Sequence, residues 1–218
     1  MPPKHALDAK DLLGVNPTHA GVIDEIRSLV VGANALLQGH FELQGGRHSE
    51  YFIRFKQVGR ERPLVERAAE LLVKDASWVK GTTRVLGAES AGFYLAQAIG
   101  RRLDISTAIA TIDHRRRPTE NLRTGDVNAN DRVVIATDLV TTGSSLRTLI
   151  ELVHHRGAQV SGVAVFGVLD TATYTKVLNQ EKLPGSWLVS SLWPTWDAGP
   201  SCPLCAQGQE FMPALELN

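Results

Sequence analysis

The chain has 218 residues, with 23 lysines and arginines against 23 aspartates and glutamates, so its formal net charge is zero. That balance speaks against a nucleic-acid partner, which calls for a broad basic excess, and no apolar run approaches the ~20 residues that span a bilayer. With 43% apolar and 21% charged residues, the composition is that of one globular domain long enough to bury a core without staples.

The first 17 residues are polar, carry three prolines and read as a lead-in. They contain no apolar stretch of the signal-peptide kind, which gives a cytoplasmic expectation. From Ala20 to Leu37 apolar residues recur at helical spacing (Val22, Ile23, Ile26, Leu29, Val30, Ala33, Leu37). Phe41 to Val58 is richer in aromatics and glycine, and the Gly45-Gly46 pair predicts a hairpin turn. Pro63 suits the first turn of a helix whose apolar face is Leu64, Val65, Ala68, Leu71 and Leu72.

Strand and helix then alternate. Strands are predicted at Arg84–Gly87, Ile105–Ile112, Arg132–Thr137 and Val160–Leu169, and helices at Gly92–Leu103 and Ser144–Arg156. Strands apolar along their whole length belong in a sheet covered on both faces, hence a parallel α/β architecture. Asp113 to Asp131 is polar, with three consecutive arginines and no apolar period, and reads as a long loop.

The segment Val133 to Leu146, VVIATDLVTTGSSL, carries the most chemistry. A buried strand leads into Asp138, a turn of Thr141, Thr142 and Gly143, and a helix opening at Ser144-Ser145. Unpartnered N–H groups at a helix start, the helix dipole and four nearby hydroxyls make a pocket for a phosphate monoester. Gly143 allows close backbone approach, and Asp138 can accept from sugar hydroxyls. The plainer alternative is a strand–turn–helix junction with Ser144 as N-cap. The glycine spacing and lysine of a nucleoside-triphosphate loop are missing.

This segment resembles the signature of the type I phosphoribosyltransferases, and the whole is similar above all to the orotate phosphoribosyltransferase family. Gly39 to Ile53, GHFELQGGRHSEYFI, resembles that family's N-terminal hood. Gly87 to Ala96, GAESAGFYLA, resembles its pyrophosphate loop. His114 to Gly125 stands where the family has a mobile catalytic loop. Order and spacing match from about Ile26 to Asp170.

The resemblance implies one phosphoribosyltransferase domain over residues 1–218: helix and hood at 20–60, a helix-flanked parallel core at 61–192, and a cysteine-containing tail at 193–218. It implies displacement at C1 of Mg²⁺-bound phosphoribosyl pyrophosphate by a base nitrogen, catalysed by positioning and charge neutralisation. Thr141, Thr142, Gly143, Ser144 and Ser145 would hold the 5′-phosphate, and Thr137 and Asp138 the ribose. Glu89, Ser90 and Ala91 would meet the pyrophosphate, with Arg115 and Arg116 supplying charge, in a homodimer. The catalytic assignments fall on Asp138 and Arg116, and the cleft is given no resident metal. The arginine run reads equally as a solvated loop.

The chain departs from the family pattern at specific positions. Thr137 replaces the first of two adjacent acids. The catalytic loop has arginines, Pro118 and His114, and no lysine. Gln44 and Thr171 stand where the orotate enzymes carry cations, leaving Arg54 or Lys56 as other partners for a carboxylate. The expected acceptor is therefore a base less acidic than orotate, or orotate held differently. A non-catalytic sensor or regulatory protein that binds phosphoribosyl pyrophosphate is the alternative.

The tail reads Cys202-Pro-Leu-Cys205-Ala-Gln-Gly208, like half a zinc ribbon. A structural zinc takes four ligands, so Zn²⁺ at Cys202 and Cys205 would need a histidine or a second chain. Reduced thiols in a turn, or a local disulfide, are the other readings. Trp193 and Trp196 read as packing residues, His154-His155 as a helix-end feature, and His48 as a structural histidine.

Overall fold

A computed structural model of the chain describes residues 9–43, 45–74 and 76–214. Strand β1 (Leu13–Val15) precedes helix α1 (Ile23–Gly32), strands β2 (Leu36–Glu42) and β3 (Arg47–Ile53), and helices α2 (Phe55–Arg60) and α3 (Arg62–Val73). Then come β4 (Arg84–Ala88), α4 (Ala91–Leu103), β5 (Ser106–Ile112), β6 (Pro118–Thr124), β7 (Arg132–Val140), α5 (Ser144–His155), β8 (Gln159–Val168), α6 (Thr171–Glu181) and β9 (Gly185–Ser191). The C-terminal segment adds β10 (Thr195–Asp197), the single turn α7 (Pro203–Ala206) and β11 (Met212–Pro213).

The larger sheet has the order β1-β9-β8-β7-β4-β5-β6. Strands β4, β5, β7, β8 and β9 run parallel, and β1 and β6 close the two edges antiparallel. Period-two alternation divides the apolar strand residues between the faces. Val85, Val134, Ala136, Ala164 and Phe166 meet Ile26, Leu72, Leu95 and Ile99 on α1, α3 and α4. Leu86, Val133, Ile135, Val163 and Val165 meet Leu149, Val153 and Val177 on α5 and α6. Each large side chain so buried contributes roughly 1.5–3 kcal/mol before chain entropy is counted. The α/β architecture with helices on both faces is the expected one.

A second sheet, β10-β3-β2-β11, forms the hood. Its apolar face of Phe41, Leu43, Phe52 and Ala214 packs on Leu139 and Leu169, which brings the hood over the carboxyl ends of β7 and β8. The tail is thus part of the hood, supplying both of its outer strands.

Three sequence expectations are corrected. The helix foreseen over Ala20–Leu37 is confined to Ile23–Gly32, because Asn34 takes a left-handed conformation (φ 50°) and Leu36 onward pairs with β3. The polar stretch Asp113–Asp131 contains β6, an edge strand with Glu120, Arg123 and Thr124 exposed, so it shows no apolar alternation. Strand β7 runs to Val140, so Asp138 lies within it rather than past its end.

Candidate active site

A cleft of about 810 Å³, open mouth included, lies at the carboxyl ends of β4 and β7. Ala88–Gly92 forms one wall, Thr137–Leu139 with Thr141 and Ser145 another, and Leu43, Phe52 and Ala214 of the hood the roof. Arg116 and Pro118 enter from the turn between β5 and β6. The predicted phosphate segment, pyrophosphate segment, arginine run and hood therefore meet at one place.

Helix α5 begins with Gly143 in the capping position at φ 75°, which brings no capping side chain, and only a long 3.5 Å contact from the Ser144 N–H to Thr142 Oγ1 occupies its first turn. A Cβ on Gly143 would lie 2.9 Å from Val177 Cγ2. Ser144 is thus the first helical residue and not the N-cap. Thr141 and Ser145 line the cleft, whereas Thr142 and Ser144 are exposed and hold each other, hydroxyl to hydroxyl, at 3.1 Å. The helix start turns positive potential toward Thr141 and Ser145.

Asp138 is the half-buried acid of this wall. Burial pushes its carboxyl above the ordinary value of 3.8, against the downward pull of backbone N–H groups and of Thr137. Thr137 Oγ1 donates to Asp138 Oδ1 at 3.3 Å.

On the facing wall Glu89 Oε2 accepts from the N–H of Ile112 at 3.1 Å, and Glu89 Oε1 lies 3.5 Å from Arg123. Glu89 therefore ties the loop to β5 and β6. Ser90 sits at φ 73°, ψ −132°, in front of α4. A β-substituted residue held there is strained, and such strain gathers at ligand sites. The conformation presents the Ala88–Ala91 backbone to the cleft.

The arginine turn is built on Asp113. Its Oδ1 accepts from the N–H groups of Arg115 and Arg117, and its Oδ2 pairs with the Arg117 guanidinium at 2.8 Å. These contacts, the Arg117 N–H foremost, hold the Asp113 carboxyl below its ordinary range. Arg116, at φ 57°, turns the other way and donates to Ser90 Oγ at 3.4 Å. It lines the cleft of its own chain, while Arg115 and His114 are exposed and stay off the lining. Of the two arginines expected at the pyrophosphate, Arg116 lines this cleft and Arg115 does not.

The described cleft lining carries little positive charge. Gln44 lies outside the described residues. Thr171 opens α6, capped by Asp170, whose Oδ1 accepts from the N–H of Ala172 at 3.0 Å. Arg54 and Lys56 do not line the cleft; Lys56 lines a neighbouring pocket with Glu89 and Arg123. Among the described residues Arg116 is the one cation on the cleft lining. Trp193 packs as expected, buried, with Nε1 donating to Ser49 Oγ at 2.9 Å. His155 sits in the last turn of α5 beside Glu120.

Sequence reasoning missed one grouping. His40 and His48, on β2 and β3, converge with Cys202 and Cys205. His40 is a new member, and His48, expected as a structural histidine, faces the cysteines. The signal was available: two histidines flanking the Gly45-Gly46 turn, with a Cys-x-x-Cys far downstream.

Residues 61–182 match the family model of the phosphoribosyl transferase domain. The chain belongs to this family, and its sheet, hood and loops make it a type I phosphoribosyltransferase. Within the family it is similar to the orotate enzymes. It is 30% identical over 195 residues to the orotate phosphoribosyltransferase of Heliobacterium modesticaldum, covering 85% of this chain and 93% of that one. It is 28% identical to the Helicobacter pylori (strain P12) enzyme, over 89% of this chain and all of that one. Among solved structures, orotate phosphoribosyltransferase from Aeropyrum pernix superposes with TM-score 0.61 at 21% identity, covering 75% of this chain and 90% of that one. Adenine phosphoribosyltransferase from Leishmania donovani gives 0.58 at 15%, covering 81% and 82%. These two likenesses establish the shared fold. No helix among the described residues is long and apolar enough to cross a membrane.

Proposed function

We propose that this protein transfers the phosphoribosyl group of Mg²⁺-bound phosphoribosyl pyrophosphate to a ring nitrogen of an uncharged nitrogenous base. The observation that carries the reading is the cleft itself, with a glycine-led helix start and Asp138 on one wall, the strained Ser90 loop on the other, and an apolar roof. The 5′-phosphate takes the N–H groups at the start of α5 with Thr141 and Ser145. The ribose hydroxyls take Asp138 and Thr137. The pyrophosphate lies along Ala88–Ala91 under Arg116.

The base nitrogen bonds to C1 of the ribose as the C1–oxygen bond breaks, and the electron pair leaves with the pyrophosphate. The ring proton displaced from the base passes to solvent. Mg²⁺ arrives with the substrate and supplies counter-charge to the leaving group. This chain's part is to hold C1 between the two partners and to stabilise charge. Arg116 faces the growing negative charge on the pyrophosphate, and the Asp138 carboxylate faces the positive charge on the ribose. Glu89, also on the lining, positions the loop through Ile112 and Arg123.

The acceptor follows from the roof. Leu43, Phe52 and Ala214 offer no partner to a carboxylate, and Arg116 is committed to the pyrophosphate side. An acid placed there would forgo contacts worth ~1.5–3 kcal/mol each. The second reading, binding without transfer, draws on Thr137 in place of the family's first acid. A homodimer, expected from the resemblance, belongs to the proposal and is checked by sedimentation. Pyrophosphate release with orotate, uracil and purine bases tests the function. Turnover with an uncharged base is expected. An ordinary rate with orotate rejects the acceptor assignment, and tight binding of phosphoribosyl pyrophosphate without turnover on any base selects the regulatory reading.

A further inference from the structure

His40 Nε2, His48 Nδ1 and the two cysteine sulfurs all lie within 4.8 Å of one another. None of the four residues lines the cleft. His40 Nε2 is 2.8 Å from His48 Nδ1, 3.6 Å from Cys202 Sγ and 3.8 Å from Cys205 Sγ, and Cys205 Sγ is 3.2 Å from His48 Nδ1. A tetrahedral ion with bonds of ~2.0 Å to nitrogen and ~2.3 Å to sulfur has ligand–ligand edges of roughly 3.3–3.8 Å, so the nitrogen–sulfur separations stand close to that range, and the two histidine nitrogens, 2.8 Å apart, would part by about 0.5 Å to take the ion. We propose that these four residues bind one Zn²⁺, and that the ion fastens the C-terminal tail to the hood.

The local structure prepares each ligand. His40 Nδ1–H donates to the carbonyl of Gln209 at 2.7 Å, which fixes the tautomer and leaves the Nε2 lone pair for a metal. The Cys202-Pro-Leu-Cys205 turn, closed by the N–H of Ala206 on the carbonyl of Cys202, sets both sulfurs on one side. Both thiols are free. His48 is 2% exposed, and its Nε2 has no hydrogen-bond partner.

Charge and chemistry agree. Binding displaces one proton from each thiol, and two thiolates cancel the two charges of the ion, so a buried centre carries no net charge. Two sulfurs and two imidazoles in a tetrahedral arrangement favour zinc, and four protein ligands leave no open position, as in a structural site. The mechanical result is clear from the topology. The tail pairs with the hood through β10 beside β3 and the two-residue β11 beside β2, Met212 next to Phe41 and Pro213 next to Glu42, and the following residue, Ala214, lines the cleft. The ion would add a fastening at the cysteine turn between these two short strands.

The test is a metal titration of the full chain after chelator stripping. Co²⁺ should saturate at one equivalent with a thiolate-to-cobalt charge-transfer band and tetrahedral d–d bands, and Zn²⁺ should bleach them. Cys205→Ser should lose most of the charge-transfer intensity. His48→Ala, which keeps both sulfurs, should weaken binding on the order of a hundredfold. Because the stripped wild-type chain is itself the main probe, a variant that failed to fold would not decide the matter. A wild-type chain that develops no charge-transfer band at saturating Co²⁺, or that His48→Ala leaves unchanged in affinity and d–d spectrum, overturns the proposal.

Discussion

Thr137 donates its hydroxyl to the carboxylate of Asp138 at 3.3 Å, so a neutral donor supports the acid at the place where the family has a second acid. The pair sits on the cleft wall, where burial raises the Asp138 carboxyl above 3.8. A raised value means that stability from this group is fully present below the ordinary value and is lost as pH climbs through the raised one. At neutral pH the ionised Asp138 therefore costs the ligand-free protein stability. Asp138→Asn should raise Tm at pH 7, with the gain shrinking as pH falls through the raised value and gone below 3.8, while turnover and affinity for phosphoribosyl pyrophosphate collapse. Calorimetry across pH, paired with binding, reads both. A lower Tm at pH 7 would contradict the assignment.

Ser90 makes a similar exchange in its backbone. Its φ of 73° strains any residue but glycine, by ~1–3 kcal/mol. Ser90→Gly should raise the urea midpoint and lower kcat/KM, because a freer loop presents its N–H groups to pyrophosphate less well and the Arg116 contact is gone. An unchanged kcat/KM would remove the loop from the binding reading.

Neighbouring arginines are expected to differ. Arg116→Ala removes the cation that lines the cleft and should raise KM for phosphoribosyl pyrophosphate roughly tenfold or more, the worth of one charge-assisted contact of ~1.5–3 kcal/mol. Arg115→Ala, at an exposed turn position, should change it less than twofold. Steady-state kinetics distinguishes them, and equal effects would put the turn in another arrangement.

At Gly143 the expectation is steric. Alanine there meets Val177 Cγ2 at 2.9 Å in a left-handed conformation, which should cost about 1 kcal/mol or more of stability. It should also tilt the start of α5, weakening phosphate binding beyond the loss of stability. Denaturation and titration with phosphoribosyl pyrophosphate measure the two effects, and intact binding in a destabilised variant would separate α5 from the phosphate.

What the sequence disclosed follows from burial. Strands β4, β5, β7 and β8 are apolar because both faces of the sheet are covered, and each was visible as a run. Strand β6 was not, since its edge position leaves Glu120 and Arg123 in solvent, and it is held by backbone pairing with β5. The apolar period of α1 ran on into Leu36 and Leu37, whose burial serves a strand. The site loops were legible as short contiguous motifs. The cysteine half of the His/Cys cluster was legible as a motif, but which histidines complete it was not, because 162 residues separate His40 from Cys202, and only the closing of the hood by β10 and β11 brings them together.

A crystal structure of the chain with Mg²⁺ and phosphoribosyl pyrophosphate would show where each part of the ligand lies. The 5′-phosphate is expected on the N–H groups at the start of α5, between Thr141 and Ser145, with ribose hydroxyls on Asp138 and pyrophosphate against Ala88–Ala91 beneath Arg116. A 5′-phosphate bound anywhere other than the start of α5 would contradict the account.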